Sequence, residues 1–155
     1  MARRLGLIVN PVAGIGGRLA LKGSDDRARI AAARAAGAQP VAGPRAVEAL
    51  AVMAGGSAVP ELLVAAGPMG AEPAALAGLA HEVVGAAGGE TTAGDTRAAA
   101  AEMAERGVDL LLFAGGDGTA VDILAAVGDR VPVLGIPAGV KMHSAVFALT
   151  PRRAG

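Results

Sequence analysis

The chain alternates short apolar runs with longer stretches whose apolar positions recur at helical spacing. The apolar runs carry leucine and β-branched residues and give way to glycine or proline, which is typical of buried strands. They lie at 5–10, 60–70, 81–85, 108–119 and 131–139. The helical stretches between them lie at 24–37, 44–56, 71–79, 91–107 and 120–128. Strands that are apolar on both faces and alternate with helices predict an α/β fold, in which helices cover both faces of a parallel sheet in a three-layer, Rossmann-like arrangement.

Several of the helical stretches are bracketed by residues that favour helix ends, as N-caps, first-turn prolines, a capping box or C-terminal glycines. These residues are Asp25 or Asp26 with Gly37 for the first helix, Pro44 for the second, and Thr92 with Asp95 and Gly107 for the fourth. The final stretch, 141–155, predicts a helix start that Pro151 interrupts. Because that helix has barely begun when the sequence stops, we expect the chain to be part of a larger fold.

Composition excludes several classes of protein. Fourteen basic residues balance 14 acidic ones, which argues against a protein built mainly to bind nucleic acid or an acidic membrane surface. The absence of cysteine removes disulfides, thiolate metal sites and cysteine nucleophiles. No apolar run approaches the roughly 20 residues of a membrane span, and no secretory signal is visible. Phe113 and Phe147 are the only aromatic residues, too few for a base-stacking platform. The composition predicts a soluble, cytoplasmic domain.

Three of the predicted strands end in glycine-containing loops, at 10–17, 114–119 and 135–143. The carboxyl ends of parallel strands meet at one edge of a sheet, where ligands usually bind. Glycine lets backbone N–H groups approach an anion, and a following helix N-terminus adds its positive end, so phosphate is the expected ligand. The alternative is that each loop is a tight strand-to-helix turn. The first loop matches neither the P-loop pattern nor Gly-x-Gly-x-x-Gly.

The second loop, AGGDGT, is the most specific of the three because an acid stands among glycines at the end of a strand. Asp117 or Thr119 is a candidate cap of the following helix. The functional alternative is that Asp117 orients or deprotonates a substrate hydroxyl, or holds Mg²⁺, beside phosphates cradled by Gly115, Gly116 and Gly118.

These residues resemble a known superfamily. GGDGT is similar to the signature shared by NAD kinases, diacylglycerol kinases and sphingosine kinases. NPVAGIGG resembles the asparagine-proline-glycine loop of the lipid-kinase branch, and PAGVKMHSAVFA resembles a third motif of that branch. Over its whole length, in order and spacing, the chain resembles the bacterial and archaeal ATP-NAD kinase-like proteins grouped with AcoX of acetoin operons, a likeness that also includes TTAGDT.

The resemblance implies transfer of a phosphoryl group from ATP or polyphosphate to a hydroxyl, such as the 2′-OH of NAD in NADP biosynthesis, with Mg²⁺ screening the phosphates. Family members fold as an N-terminal α/β domain followed by a β-rich domain. We therefore expect residues 1–155 to form a single α/β domain without the β-rich domain, with weak or no activity alone. Homo-oligomers are also expected. The alternatives are a lipid or other alcohol kinase of the diacylglycerol kinase type, and a catalytically inactive nucleotide-binding module.

Carried over by position, the resemblance makes Asp117 the candidate catalytic base or hydroxyl-orienting group. The implied nucleotide- and phosphate-binding residues are Asn10, Pro11, Gly14, Gly16, Gly17, Gly115, Gly116, Gly118, Thr119, Gly139, Lys141 and His143. Two departures from the lipid-kinase pattern place the acceptor in doubt. Asp122 replaces an Asn-Glu pair and is expected to face either the metal or water, and Lys141 with His143 replaces an Asn-Asp type of pair.

Overall fold

The computed structural model describes residues 2–15, 27–86, 88–138, 147 and 154. Within these residues the chain forms five strands and five helices. The strands are β1 (Arg4–Val9), β2 (Glu61–Ala65), β3 (Glu82–Val84), β4 (Leu110–Gly115) and β5 (Val133–Pro137). The helices are α1 (Arg27–Ala35), α2 (Ala42–Ala54), α3 (Ala71–Leu76), α4 (Ala93–Glu105) and α5 (Asp117–Val127), with a single 3₁₀ turn at Gly67–Met69. None of the helices described is long and apolar enough to cross a membrane.

All five strands are parallel and lie in the order β3-β2-β1-β4-β5. The central strand, β1, pairs with β2 on one side and with β4 on the other, and Leu5 stands opposite both Leu62 and Leu110. The chain therefore builds one half of the sheet outward from β1 and then returns to build the other half. This arrangement confirms the predicted α/β fold, and it makes the carboxyl ends of β1 and β4 the topological switch point.

Side chains from both faces of the sheet are buried under helices. One cluster packs β-strand residues against α2 and α3: Leu5, Leu7, Val9, Leu62, Val64, Leu112, Ala114 and Ile136 with Ala42, Ala46, Ala49, Leu50 and Ala74. The opposite cluster packs against α4 and α5: Ile8, Leu63, Ala65, Val84, Leu111 and Phe113 with Ala99, Ala100, Met103, Ala120, Ile123 and Val127. Because successive strand residues alternate between two buried faces, the strands are apolar at nearly every position.

The helix ends follow several of the predicted signals. Thr92 and Asp95 form the capping box: the Asp95 N–H donates to Thr92 Oγ1 at 3.3 Å, and the Thr92 N–H donates to Asp95 Oδ2 at 2.7 Å. Gly37 follows α1 with a φ of +86°, and Gly107 follows α4 with a φ of +74°. Both glycines close their helices as expected. The proposed N-caps of α1, the aspartates at 25 and 26, lie outside the described residues.

Two helices begin earlier than the sequence pattern predicts. The second helix begins at Ala42, so Pro44 is its third residue and not its first. A proline is tolerated there because the N–H groups of the first turn have no partner within a helix. The fifth helix begins at Asp117 instead of Ala120. The GGDGT segment is therefore the end of a strand and the first turn of a helix, and not a loop between them.

In the final stretch, 141–155, only Phe147 and Ala154 are described, so most of the helix start predicted there falls outside the described residues. Phe147 forms an isolated parallel bridge with Gly135 of β5. Its ring meets that of Phe113 edge-on, with the ring centroids 5.3 Å apart. At Phe147 itself the chain thus extends the sheet edge beside β5.

Candidate functional site

The switch point brings the segments after β1 and β4 side by side. The Asn10 N–H donates to the Ala114 carbonyl at 2.8 Å, which continues the β1–β4 ladder one residue beyond β1. Asn10 then begins the first predicted loop, while Gly115 and Gly116 lead into α5. The two most specific sequence motifs consequently start as neighbours at the carboxyl edge of the sheet.

Asn10 and Pro11 begin a tight turn. Asn10 Oδ1 accepts a hydrogen bond from the Val12 N–H at 3.2 Å, and the Asn10 carbonyl accepts one from the Ala13 N–H at 3.1 Å. A side-chain oxygen that accepts from the backbone two residues later is the usual asparagine turn. Pro11 favours the turn because its ring fixes its own φ. The Asn-Pro pair therefore reverses the chain directly above the end of β1.

Gly14 holds this turn against two neighbouring segments. Its φ is +84°, and a Cβ atom there would collide with the Val41 side chain and the Ala138 carbonyl. The Ala13 carbonyl also accepts hydrogen bonds from the backbone N–H groups of Val41, at 3.1 Å, and Ala42, at 3.4 Å. Backbone conformation and close packing thus explain a glycine at position 14. The same packing places the first loop against Ala138 of the third loop.

The GGDGT segment forms the start of α5. Gly116 is the N-cap residue and has no side chain to cap the helix, and Asp117 is the first helical residue. Asp117 is half-buried. The predicted capping role for Asp117 or Thr119 is therefore wrong, because both residues lie inside the helix. Backbone N–H groups of a first helical turn have no partner within the helix, so this turn is suited to bind an anion.

Adjacent glycines at the end of β4 have different surroundings. A Cβ atom on Gly115 would lie 2.5 Å from Thr119 Oγ1 and 2.7 Å from Thr119 Cβ, so the close approach of Thr119 requires a glycine. A Cβ atom on Gly116 would meet nothing within 4 Å, and the φ of Gly116 is −102°, which any residue adopts. Packing explains Gly115, whereas Gly116 has bare backbone beside open space.

A pocket of about 740 Å³ opens at this edge of the sheet. Its walls come from the turn after β1, from α1, from the segment between β3 and α4, and from the first turns of α4 and α5. The residues that line it are Asn10, Pro11, Val12, Ile30, Ala31, Arg34, Pro68, Gly89, Glu90, Thr91, Thr92, Ala93, Thr96, Gly118, Thr119 and Asp122. Two helix N-termini and several hydroxyl groups therefore share one cavity. We call it the switch-point pocket.

An ion pair on the wall of the pocket joins α4 to α5. Arg97 Nη1 donates to Asp122 Oδ1 at 2.6 Å, and Asp122 is the more buried partner. Asp122, which the sequence analysis expects to face either a metal or water, therefore lines the pocket and forms an ion pair with Arg97. Among the described residues, no group of three or more His, Cys, Asp or Glu side chains is placed to hold a metal ion. Mg²⁺ commonly uses one or two carboxylates together with substrate phosphates, so Asp117 and Asp122 are chemically suited to that role.

The structure brings some of the predicted site residues together in one pocket. Asn10, Pro11, Gly118 and Thr119 line the switch-point pocket, and so does Asp122. Gly115, Gly116 and Asp117 do not themselves line the pocket, although they directly precede the lining residues Gly118 and Thr119. Gly14 serves the packing of the first turn. Five predicted residues lie outside the described part of the chain: Gly16, Gly17, Gly139, Lys141 and His143.

Sequence reasoning missed one side of the pocket. Arg34 of α1 and the segment Glu90–Thr92 were not among the predicted site residues, nor was the buried Thr96 of α4. One signal was available, because the segment after β3 also leaves the carboxyl edge of the sheet and contains Gly88 and Gly89. The contribution of α1 depends on tertiary packing and has no local signal.

Comparison with known proteins agrees with this geometry. The model of a protein family described as the ATP-NAD kinase N-terminal domain matches residues 5–155, nearly the whole chain. A search of curated proteins found no match.

Proposed function

The chain belongs to the ATP-NAD kinase family, and on that premise we propose that it is the nucleotide-binding domain of a phosphotransferase. The proposed reaction transfers a phosphoryl group from ATP, or from polyphosphate, to a hydroxyl group. The 2′-OH of NAD is the proposed acceptor, which would place the protein in NADP biosynthesis. The proposed partner is thus a small nucleotide, and neither a nucleic acid nor a membrane.

One observation carries this proposal: the first turns of α4 and α5 and the Asn-Pro turn surround a single pocket at the switch point. Parallel α/β sheets bind nucleotides at this position because helix N-termini point toward the carboxyl edge. The volume of about 740 Å³ is within the usual range for small-molecule sites. Apolar side chains of Val12, Ile30 and Pro68 supply surface for a base, and threonine hydroxyls supply hydrogen bonds.

Gly116 supports phosphate binding at the start of α5, next to the pocket-lining residues Gly118 and Thr119. Neither its backbone conformation nor its packing requires glycine. A missing side chain beside the first turn of a helix lets a ligand approach the backbone N–H groups. We therefore assign the phosphate end of the ligand to the first turn of α5.

Asp117 is the proposed group that orients or deprotonates the acceptor hydroxyl. Phosphoryl transfer depends mainly on positioning and on neutralising charge, so a carboxylate next to the phosphate-binding turn is suitably placed for it. Mg²⁺, when bound with the nucleotide, would neutralise phosphate charge, and Asp117 or Asp122 would hold it. For Asp122, that role requires exchange of its present partner Arg97.

The direct test is calorimetric titration of the chain with ATP, NAD and NADP in the presence of Mg²⁺. We expect a nucleotide to bind, and Asp117→Asn to keep its affinity within a few fold. In an NAD phosphorylation assay the same substitution should lower transfer by at least about 100-fold, because a general base contributes that much or more. Asp129→Asn is the matched control, since Asp129 is exposed beyond the end of α5.

The outcomes separate the alternatives. ATP binding without NAD binding would favour another alcohol as the acceptor. Nucleotide binding without any transfer would fit both a kinase domain that needs the β-rich domain of the family and an inactive binding module. If none of the three nucleotides bound, the proposed function would be contradicted. If Asp117→Asn kept full activity, the base assignment would be wrong.

A further inference from the structure

Asn10 uses its backbone and side-chain polar groups within the protein. Its N–H donates to the Ala114 carbonyl at 2.8 Å, and its carbonyl accepts from the Ala13 N–H at 3.1 Å. Its Oδ1 accepts from the Val12 N–H at 3.2 Å, and its Nδ2 donates to Thr119 Oγ1 at 3.1 Å. The residue therefore connects the turn after β1 to the first turn of α5 across the switch point.

The orientation of the Asn10 amide follows from its partners. The backbone N–H of Val12 can only donate, so the oxygen of the amide must face it. The NH₂ group then faces Thr119 and can only donate, so Thr119 Oγ1 is the acceptor. A hydroxyl group has one proton and two lone pairs, and this bond uses a lone pair. The proton of the Thr119 hydroxyl is therefore directed away from Asn10.

Packing restricts where the Thr119 hydroxyl can point. Thr119 is 6 % exposed and lies close against Gly115, where even a Cβ atom would be 2.5 Å from Oγ1. The residue also lines the switch-point pocket. A buried hydroxyl that is held by one donor and lines a cavity beside a helix N-terminus is suited to donate to an oxygen atom of a ligand there.

We infer that Asn10 is a positioning residue that holds the Thr119 hydroxyl as a hydrogen-bond donor to an anionic oxygen in the switch-point pocket. Asn10 acts through Thr119. The phosphate chemistry of the ligand rests on the proposed function. The donor role of Thr119 rests on the hydrogen-bond geometry.

Asn10→Asp tests the inference because it changes hydrogen-bonding polarity with little change of shape. The carboxylate keeps an acceptor for the Val12 N–H but places a second acceptor where the NH₂ group stood. The Thr119 proton would then turn toward residue 10 and away from the pocket. Thr119→Val removes the hydroxyl at nearly constant shape, and Thr119→Ser keeps it as the matched control.

The probe is inorganic tripolyphosphate, titrated calorimetrically at fixed ionic strength, with unfolding curves recorded for every variant. We expect Thr119→Val to weaken binding by about 10- to 100-fold, the usual effect of losing a hydrogen bond to a charged group. Thr119→Ser should bind within about threefold of the unsubstituted chain. Asn10→Asp should weaken binding about as much as Thr119→Val.

The double variant separates hydrogen-bonding polarity from simple charge repulsion. If Asn10→Asp acts through the Thr119 hydroxyl, it should cost less than about threefold when Thr119 is already valine. If the fold loss of affinity in the double variant equalled the product of the losses in the two single variants, the inference would be overturned. Equal affinities of the Thr119→Val and Thr119→Ser variants would also overturn it, and this pair decides the matter if the Asn10 variant does not fold.

Using tripolyphosphate keeps this test apart from that of the proposed function. Threonine-dependent tripolyphosphate binding without nucleotide binding would contradict the kinase proposal and support the role of Asn10. Nucleotide binding and transfer that do not depend on the Thr119 hydroxyl would support the kinase proposal and contradict the role of Asn10. If the unsubstituted chain did not bind tripolyphosphate, the inference would be wrong.

Discussion

The two edges of the sheet use polar groups in different ways. At the amino edge, where the strands begin, Arg4 makes three hydrogen bonds. Its backbone N–H donates to Asp109 Oδ2 at 2.8 Å, and its Nε donates to Glu61 Oε2 at 2.9 Å. Its Nη1 donates to the Arg106 carbonyl at 3.0 Å. Arg106 in turn pairs with Glu82 and Glu102. At the carboxyl edge, hydroxyl groups, glycines and two helix N-termini surround a cavity.

This difference follows from the direction of the helices. In a parallel sheet the helices point their positive N-termini toward the carboxyl edge, where they can bind an anion. Charged side chains at the amino edge bind one another and join strand ends to the end of α4. We therefore expect substitutions at the carboxyl edge to change ligand affinity, and those at the amino edge to leave it unchanged.

The largest effect on stability should come from Gly115→Ala. The new methyl group would overlap Thr119, and overpacking of this kind typically costs about 1–3 kcal/mol. Gly116→Ala is the matched control, since its methyl group meets open space. Alanine is a poorer N-cap residue than glycine, so we expect this variant to lose about 1 kcal/mol or less. Urea unfolding measures both variants.

Ligand affinity should respond to these two substitutions in another way. Gly116→Ala should weaken nucleotide binding although it costs less stability than Gly115→Ala, because the methyl group blocks the approach to the backbone. Unchanged affinity would show that Gly116 has no part in the site, and equal stability losses for the two variants would contradict the packing described for Gly115.

The next largest effect is expected at the start of α4, where two neighbouring threonines differ in role. Thr92 caps the helix, so Thr92→Ala should lower the free energy of unfolding by about 1 kcal/mol. Both threonines line the pocket, but Thr91 lies outside the capping box, so Thr91→Ala should leave stability nearly unchanged while weakening nucleotide binding. Thermal unfolding and calorimetric titration test the pair. Identical behaviour of the two variants would contradict the assignment.

The smallest effect is expected at the amino edge. Arg106→Gln should lower stability less than Thr92→Ala does, because Arg106 is exposed and its ion pairs are screened by solvent. Nucleotide affinity should not change. A drop in affinity comparable to that of Thr91→Ala would show that the two edges are not independent.

The pH dependence of that ion pair has a definite sign. The hydrogen bond that Arg106 donates to the Glu82 carboxylate raises the pKa of Arg106 above its ordinary value. A raised pKa contributes stability that is fully present below the unfolded value and is lost only as pH rises through the folded value. The difference in stability between Arg106→Gln and the unsubstituted chain should therefore stay constant between about pH 6 and pH 9 as far as Arg106 titration is concerned.

Much of the fold could be predicted from local pattern. Buried parallel strands are apolar on both faces, and the capping box at Thr92 and the glycine at 107 mark the ends of α4 in a way that depends only on neighbouring residues. The start of α5 was placed three residues late, because Gly116 and Gly118 suggested a loop where the strand passes directly into a helix.

The site was less predictable, for a physical reason. Gly14, Gly115 and Gly116 look alike in sequence, yet the first two are fixed by contacts with Val41, Ala138 and Thr119 that only the folded chain reveals. Likewise, Arg34 reaches the pocket through the packing of α1, which leaves no local signal. Motif reasoning placed these glycines at the carboxyl edge of the sheet, as the structure does, but could not tell which of them packing requires.

The most direct test compares nucleotide binding by three proteins: the unsubstituted chain, Gly116→Ala at the carboxyl edge, and Arg106→Gln at the amino edge. We predict that ATP with Mg²⁺ binds the unsubstituted chain and Arg106→Gln with the same affinity, and binds Gly116→Ala more weakly. Absence of binding to the unsubstituted chain, or equal weakening by the two substitutions, would contradict the assignment of the nucleotide site to the switch-point pocket.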